Sequence, residues 1–194
     1  MIGILDYGAG NLASVKNAMD FLGYEAEMVT SAKDIEKCDG IIFPGQGSFG
    51  SMVDILKERG MYGPLYDYII GGRPFLGICL GLQVLYEGSD ESPGYKGYGI
   101  MKGRAQRFEK GKVPQIGWNE ICPLADDIPG GWAYYVNSYR IVDPKNAIAM
   151  SDYYGRFVAA VKKDNITAFQ FHPEKSGKYG LSLLRWWYGC LQKE

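Results

Sequence analysis

Residues 74–83 read Pro-Phe-Leu-Gly-Ile-Cys-Leu-Gly-Leu-Gln and are the most informative segment of the chain. Its first five residues predict a short buried strand, because an apolar run follows the Gly-Gly breaker at positions 71–72. Gly77 and Gly81 flank Cys79 in the Gly-x-Cys-x-Gly pattern of a nucleophile elbow. Small flanking residues permit a tight turn from strand to helix, which exposes the thiol. The segment therefore predicts an α/β fold with Cys79 as a nucleophile.

The position of Cys79 at the start of a helix also favours reactivity. A helix N-terminus stabilises a thiolate over a thiol. The N–H of Leu80 can point at the oxyanion that forms when the sulfur attacks a carbonyl. The alternative is a buried cysteine that packs as a small hydrophobic residue. We interpret the remaining cysteines in that way: Cys38, Cys122 and Cys190.

The chain on either side of the elbow predicts the rest of the architecture. In the first half we expect strands at residues 2–6, 24–30, 40–43 and 74–78, and helices at 12–22, 48–59 and 65–70. Strand–helix alternation at this spacing implies a mostly parallel sheet with helices on both faces.

Strand-like runs dominate beyond Gly97 and are separated by turn signals. These runs are residues 104–108, 118–121, 133–141, 157–162 and 166–171, and a helix at 181–191 follows. We therefore predict an α/β fold whose mostly parallel central sheet is flanked by helices, with additional antiparallel strands in the second half. We expect residues 1–194 to form a single domain, since no repeat, linker or low-complexity segment interrupts them.

Composition excludes several classes of protein. The 21 Lys+Arg and 22 Asp+Glu residues give a net charge of −1, which argues against a nucleic-acid binder with a broad basic surface. No apolar run reaches the ~18–20 residues that span a bilayer, and the N-terminus lacks the basic region of a signal peptide. The four cysteines form no C-x-x-C pair, so we expect no metal site and a reduced cytoplasmic protein.

The sequence holds a single histidine, His172, which excludes metal sites built on two or three histidines. Residues 170–174 read Gln-Phe-His-Pro-Glu at the end of an expected strand, where residues at i and i+2 face the same way. Glu174 would then accept from Nδ1 of His172, leaving Nε2 to exchange a proton with Cys79. The alternative is a histidine with satisfied hydrogen bonds and no part in chemistry.

A third loop, residues 43–49, reads Phe-Pro-Gly-Gln-Gly-Ser-Phe between an expected strand and a helix. Its glycines let the backbone approach a ligand and offer N–H groups to an anion. In a parallel sheet this loop lies at the same carboxyl edge as Cys79. We interpret Gln46 and Gly47 as the second half of an oxyanion hole. Plain turn glycines are the alternative, and no Walker or G-x-G-x-x-G phosphate loop fits.

Together, the cysteine elbow and the His-Pro-Glu segment resemble the class I (triad) glutamine amidotransferases. The resemblance covers nearly the whole chain and implies flavodoxin-like layering and hydrolysis of L-glutamine by Cys79, His172 and Glu174. It also implies no cofactor. By the family pattern, the backbone of the Gln46–Gly47 loop and of Leu80 holds the oxyanion. The residues that contact glutamine are then Gln83, Ser138 and Tyr139.

Three further motifs resemble the branch of this family that serves imidazole glycerol phosphate synthesis. They are Asp-Tyr-Gly-Ala-Gly-Asn-Leu at 6–12, Pro-Gln-Ile-Gly-Trp-Asn at 114–119 and His-Pro-Glu-Lys-Ser at 172–176. This likeness implies a one-to-one heterodimer in which ammonia passes to a (β/α)8-barrel synthase subunit in histidine biosynthesis. It places four residues near the interface: Asn11, Trp118, Asn119 and Lys175.

The sequence departs from the family pattern at three positions. Gln115 and Asn137 stand where the family often has histidine, and Gln46 stands where a small aliphatic residue is usual. None belongs to the triad. Two other functions stay open: the same glutaminase serving another synthase, of surface-sugar amidation or anthranilate type, and a non-catalytic stress protein with a cysteine elbow.

Overall fold

A computed structural model describes residues 1–8 and 12–192 of the chain. The strands of the first half are β1 (Ile2–Leu5), β2 (Ala26–Val29), β3 (Gly40–Phe43) and β4 (Phe75–Ile78). The helices there are α1 (Leu12–Phe21), α2 (Ala32–Lys37), α3 (Phe49–Glu58), α4 (Tyr62–Ile70) and the short α5 (Leu80–Gln83).

The second half consists mainly of strands. They are β5 (Gly88–Ser89), β6 (Arg104–Arg107), β7 (Gln115–Pro123), β8 (Gly131–Asn137), β9 (Tyr139–Arg140), β10 (Ala147–Asp152), β11 (Arg156–Lys163) and β12 (Ile166–Phe169). A 3-10 turn at Pro173–Lys175 then leads into helix α6 (Gly177–Leu191).

The main sheet joins a parallel half to an antiparallel half. Its strand order within the described residues is β2-β1-β3-β4-β12-β11-β10-β7-β8. The strands from β2 to β12 are parallel to their neighbours, and those from β12 to β8 are antiparallel. A smaller sheet has the order β5-β6-β9. The expected fold class is confirmed.

Helices cover both faces of the parallel half, as the apolar strand sequences require. Successive strand residues point to opposite faces, so adjacent Ile41 and Ile42 of β3 belong to different cores. Ile42 packs in the core that contains Val15 of α1 and Leu184 of α6. Ile41 packs in the core that contains Leu56 of α3, together with residues of α2 and α4. Burial on both faces explains why β3 has no polar side chain.

The pairing of β4 with β12 positions the functional site. Phe75 of β4 is in register with Ile166 of β12, and Ile78 with Phe169. The residues that follow these two strands therefore emerge side by side at the carboxyl edge of the sheet. The N–H of Cys79 donates to the carbonyl of Phe169 at 2.7 Å, which extends the pairing into the elbow.

Some elements differ from those expected from the sequence. Helix α2 and strands β5 and β10 were not expected, and the run at 133–141 is divided at Ser138. In α2 only Ile35 is buried, so its helical periodicity is weak. Strand β10 reads Ala-Ile-Ala-Met-Ser-Asp, a composition with modest β propensity. Pairing with the next strand along the chain, β11, and with the more distant β7 holds it as a strand.

Two expectations about cysteine burial were wrong. Cys38 is buried as expected, but Cys122 and Cys190 are exposed, and all four cysteines are free thiols. None of the helices in the described ranges is long and apolar enough to cross a membrane.

Candidate active site

Cys79 occupies a strained elbow between β4 and α5. Its backbone has φ 55° and ψ −103°, a region that non-glycine residues rarely adopt. A Cβ on Gly77 would lie 2.3 Å from the carbonyl oxygen of Gly81, and one on Gly81 would lie 2.1 Å from that of Phe43. Both flanking glycines are therefore required by close backbone approach, as the Gly-x-Cys-x-Gly pattern predicts.

His172 and Glu174 form a buried pair next to this elbow. His172 Nδ1 lies 2.8 Å from Glu174 Oε1, and the two side chains are 4% and 3% exposed. We expected His172 and Glu174 to face the same way along an extended strand, and that expectation was wrong. Pro173 begins a 3-10 turn that folds Glu174 back under the imidazole. The N–H of His172 donates to the carbonyl of Tyr134 at 2.9 Å, which fixes the ring's position beside β8.

The electrostatics of His172 favour the imidazolium. Burial alone would lower the pKa of His172, because it penalises the charged form. Hydrogen bonds and charge from Cys79 and Glu174 outweigh burial and raise the pKa of His172 to about 10. Since Glu174 occupies Nδ1, the ring meets Cys79 through Nε2. The arrangement suits a thiolate–imidazolium pair.

The Gly45–Gly47 loop lies directly against the elbow. A Cβ on Gly45 would lie 2.3 Å from the backbone nitrogen of Leu80, so this position admits only glycine. Tyr7 holds both backbone polar groups of Gln46. Its hydroxyl donates to the Gln46 carbonyl at 2.9 Å and accepts from the Gln46 N–H at 3.0 Å. The loop can therefore offer the Gln46 N–H to an oxyanion only after that second bond breaks.

A cavity of about 400 Å³ opens over Cys79. Among the residues expected at the site, it is lined by Gln46, Gly47, Cys79, Leu80, Gln83, Ser138, Tyr139, His172 and Lys175. Glu174 lies behind His172 and does not line it.

Three further residues of the cavity wall were missed from the sequence: Glu91, Pro114 and Val136. Glu91 Oε2 accepts from the N–H of Phe49 at 2.7 Å, which fixes a carboxylate at the cavity. The sequence shows only an acidic pair at 90–91 after the elbow helix, which does not by itself indicate a place at the cavity.

Three buried amide side chains near the cavity keep an oxygen without a hydrogen-bond partner. They are Gln83, Gln115 and Asn137, each under 5% exposed. Gln115 and Asn137 are direct cross-strand partners on β7 and β8. The two positions where the family often has histidine therefore face each other, so both departures from the pattern fall at one place in the structure.

An exposed apolar patch borders the cavity on the outer face of β7 and β8. We define the patch by its members: Ile116, Trp118, Trp132, Tyr134 and Val136. Ile116 pairs with Val136 and Trp118 with Tyr134 across the strands. Trp118 is 55% and Trp132 57% exposed, although aromatic side chains of this size are usually buried. Contiguous exposed apolar side chains of this kind mark interaction sites.

The residues expected at a partner interface have different outcomes. Trp118 lies in the apolar patch and Lys175 at the cavity wall. The Asn119 side chain is engaged within the chain, donating to the Asp152 carbonyl at 2.8 Å and accepting from the Glu120 N–H at 2.7 Å. Asn11 lies outside the described residues.

Comparison with known proteins identifies the family. Residues 8–187 match the sequence model of the SNO glutamine amidotransferase family. Over 193 residues the chain is 45% identical to imidazole glycerol phosphate synthase subunit HisH of Desulfitobacterium hafniense, a match covering 95% of this chain and 92% of that protein. The chain belongs to the HisH family of glutamine amidotransferases. HisH of Thermus thermophilus is 41% identical over 184 residues, covering 93% of each chain.

A longer relative and two solved structures extend this result. The chloroplastic imidazole glycerol phosphate synthase hisHF of Arabidopsis thaliana is 42% identical over 197 residues, which cover 95% of this chain but 33% of that protein. A crystal structure of a glutamine amidotransferase aligns with a TM-score of 0.75 at 17% identity, covering 98% of both chains. PurLQS from Thermotoga maritima aligns with a TM-score of 0.78, also at 17% identity and 98% coverage of both chains. Identity this low shows a shared fold alone.

The site contains no obvious metal-binding cluster. Within residues 1–8 and 12–192, no group of three or more His, Cys, Asp or Glu side chains is arranged to hold a metal ion. The chemistry available on this HisH-family chain is a thiol with a base, a carboxylate behind the base, and backbone donors around a cavity.

Proposed function

We propose that the chain hydrolyses L-glutamine to glutamate and ammonia through Cys79, His172 and Glu174. It passes the ammonia to the (β/α)8-barrel synthase subunit of imidazole glycerol phosphate synthase in histidine biosynthesis. The observation that carries the proposal is the strained cysteine elbow facing a buried His172–Glu174 pair at a cavity. The relatives named above are imidazole glycerol phosphate synthase proteins, which favours this branch over another synthase or a stress protein.

The first half of the reaction releases ammonia. The thiolate of Cys79 attacks the side-chain carboxamide carbon of glutamine, and the carbonyl becomes a tetrahedral oxyanion. The N–H of Leu80 stabilises that oxyanion, and the Gln46–Gly47 loop joins it once the Gln46 N–H is released from Tyr7. The imidazolium of His172 gives its Nε2 proton to the amide nitrogen, the C–N bond breaks, and ammonia departs. A γ-glutamyl thioester on Cys79 is left.

The second half regenerates the thiolate. Neutral His172 takes a proton from water through Nε2, and the hydroxide oxygen attacks the thioester carbon. The C–S bond then breaks, releasing glutamate and the Cys79 thiolate beside an imidazolium. Glu174 holds Nδ1–H throughout, which fixes the ring's tautomer and stabilises its positive charge.

The cavity wall supplies groups for substrate positioning. Gln83 and the Ser138–Tyr139 segment contact the glutamine in this proposal, and they line the cavity beside Cys79. The Glu91 carboxylate lies at the same wall and suits the α-ammonium group of the substrate.

The apolar patch supports docking of a partner over the cavity. Val136 belongs to both the patch and the cavity wall, and its carbonyl oxygen lies 4.0 Å from Cys79 Sγ. A partner seated on the patch would receive ammonia before it mixes with bulk water, where protonation to ammonium removes its nucleophilicity. The Arabidopsis relative extends far beyond the matched region, which supports a second component of substantial size. We propose that residues 1–194 are a single glutaminase domain, located in the cytoplasm, where its free thiols would stay reduced.

Isotope labelling tests ammonia transfer to the partner. The purified chain is mixed with the (β/α)8-barrel subunit, its ribotide substrate, glutamine labelled with 15N in the side-chain amide, and unlabelled ammonium. We expect a heterodimer in analytical ultracentrifugation and 15N in the imidazole product, because the ammonia does not equilibrate with solvent. Glutamine hydrolysis whose label appears only in free ammonium, or a failure to form the heterodimer, would contradict the proposed partner.

The interface can be tested at Trp118. Replacing it by glutamate places a charge in the centre of the apolar patch, and we expect binding to the barrel subunit to weaken by about 100-fold. Isothermal titration calorimetry measures the affinity. Ile70→Glu is the matched control, since Ile70 is 57% exposed on α4, which packs against the parallel half of the sheet. Equal affinities for the two variants would exclude the patch as the interface.

A further inference from the structure

Gln170 is a fully buried polar residue in direct contact with the sulfur of Cys79. Its side chain is 0% exposed, and its Nε2 lies 3.6 Å from Cys79 Sγ, within hydrogen-bonding distance for sulfur. Its backbone N–H donates to the carbonyl of Ala159 on β11 at 2.9 Å. The residue is therefore held at the end of β12 with its amide aimed at the nucleophile. The steps proposed above assign it no role.

Gln83 determines which end of the Gln170 amide faces the sulfur. Its Nε2 donates to Gln170 Oε1 at 3.3 Å, so the Nε2 of Gln170 is the group left for Cys79. Turning the Gln170 amide alone would place two NH2 groups against each other, so the two amides can turn only together. Turning both would aim a carbonyl oxygen at Sγ, which repels a thiolate. A thiolate at Cys79 therefore selects the observed orientation.

We propose that Gln170 is a further catalytic residue, whose side-chain N–H donates to the Cys79 sulfur whenever that sulfur carries negative charge. This inference rests on the proposed function. The charge is present in the resting thiolate, disappears in the thioester, and returns when the C–S bond breaks. A hydrogen bond to an ionised sulfur is stronger than one to a neutral group, and more so where the contact is buried, as it is between Gln170 and Cys79. Gln170 therefore stabilises both the nucleophile and the leaving group.

Gln83 acts in this proposal as a positioning residue that couples the cavity to Gln170. Its side chain lines the cavity, and its Oε1 is buried without a hydrogen-bond partner. A substrate N–H that donates to this oxygen completes a chain from substrate through Gln83 and Gln170 to Cys79. Hydrogen bonds in such a chain polarise one another, so a bound substrate strengthens the donor at the sulfur.

The test measures thiolate formation directly, without glutamine. The rate of iodoacetamide alkylation of Cys79, followed by mass spectrometry as a function of pH, gives the midpoint at which the thiolate forms. Gln170→Met keeps the side-chain volume and removes the hydrogen-bond donor. We expect the alkylation midpoint to rise by about one pH unit, so that at a pH below the midpoint about tenfold less Cys79 is thiolate. Gln83→Met frees the Gln170 amide to turn, so we expect a smaller rise in the same direction.

Gln115→Met is the matched control. Gln115 is also a buried glutamine, but it lies on β7 and pairs with Asn137 of β8. We expect its alkylation midpoint to equal that of the chain without substitutions. Unfolding temperatures show whether all variants fold. A Gln170→Met midpoint equal to that of Gln115→Met overturns the proposal. Alkylation does not require glutaminase activity, so failure of the unmodified chain to hydrolyse glutamine would count against the proposed function and leave this measurement intact.

Discussion

Cys79→Ala should abolish glutamine hydrolysis and leave ammonia-dependent synthesis in the reconstituted complex intact. The substitution removes the sulfur that attacks the carboxamide in the proposed reaction, so no thioester can form. We expect the rate of glutamate formation to fall by at least about 10⁴-fold, the scale of losses when a catalytic nucleophile is removed. Ammonium salts bypass the glutaminase step, and the barrel subunit should still make imidazole glycerol phosphate from them.

The same variant carries little risk to folding, and a second cysteine supplies the control. Alanine keeps the Cβ at the strained elbow and removes one sulfur from a side chain that is 7% exposed. Cys190→Ala, at an exposed position on α6, should hydrolyse glutamine as the unmodified chain does. Coupled assays for glutamate and for the imidazole product measure both activities. Substantial glutamine turnover in Cys79→Ala would reject Cys79 as the nucleophile.

Glu174→Gln should lower the turnover number for glutamine by about 10²- to 10⁴-fold while keeping the shape of the site. The neutral amide removes the charge that stabilises the imidazolium, and its NH2 group can hold Nδ1 in the wrong tautomer. Glu36→Gln, on the exposed face of α2, is the control and should be unaffected. A Glu174→Gln enzyme with normal turnover would show that the carboxylate has no part in catalysis.

The same pair makes stability depend on pH in a defined direction. The pKa of His172 is raised to about 10 in the folded chain, against ~6.5 for an unperturbed histidine. Its contribution to the free energy of unfolding is therefore fully present below pH ~6.5 and is lost as pH rises through about 10. In Glu174→Gln this stabilisation should be lost at lower pH, because the carboxylate's hydrogen bond and charge no longer offset the lowering of the His172 pKa by burial.

The single histidine makes this measurement unambiguous. A chain without a polyhistidine tag contributes one imidazole signal to the NMR spectrum, which reports the pKa of His172 directly. Chemical denaturation at several pH values gives the matching stability difference between the unmodified chain and the variant. An unchanged His172 pKa in Glu174→Gln would contradict the role assigned to the carboxylate.

Much of the fold could be predicted because its signals are local. Apolar runs bounded by glycine and proline gave β1, β3 and β4, and helical periodicity gave α1 and α3 to within a few residues. Strand β10 and helix α2 carry weak local signals and exist because of their neighbours. Glu174 contacts His172 as expected, but through a 3-10 turn set by Pro173 rather than along a strand.

In the candidate site, too, residues with local sequence signals could be predicted and residues placed by distant contacts could not. Glycines 77 and 81 could be assigned to the elbow because backbone sterics demand a particular residue at a particular position. The place of Glu91 at the cavity could not be predicted, because it depends on a hydrogen bond from the N–H of Phe49, 42 residues away. The apolar patch was also missed beyond Trp118, because it is built from residues of two strands that alternate with buried ones.

Local sequence was enough to predict the α/β class, the elbow, and Cys79, His172 and Glu174 as the candidate nucleophile, base and carboxylate. Each of these follows from residues within one short segment. The position of β12 beside β4 is visible only in the folded chain, and it brings Gln170 and His172 to Cys79 across about 90 residues of sequence. Only the folded chain shows that Tyr7 holds the Gln46 peptide and that two tryptophans lie exposed beside the cavity. Such contacts depend on strand order, which is set by the packing of the whole sheet and not by any local pattern.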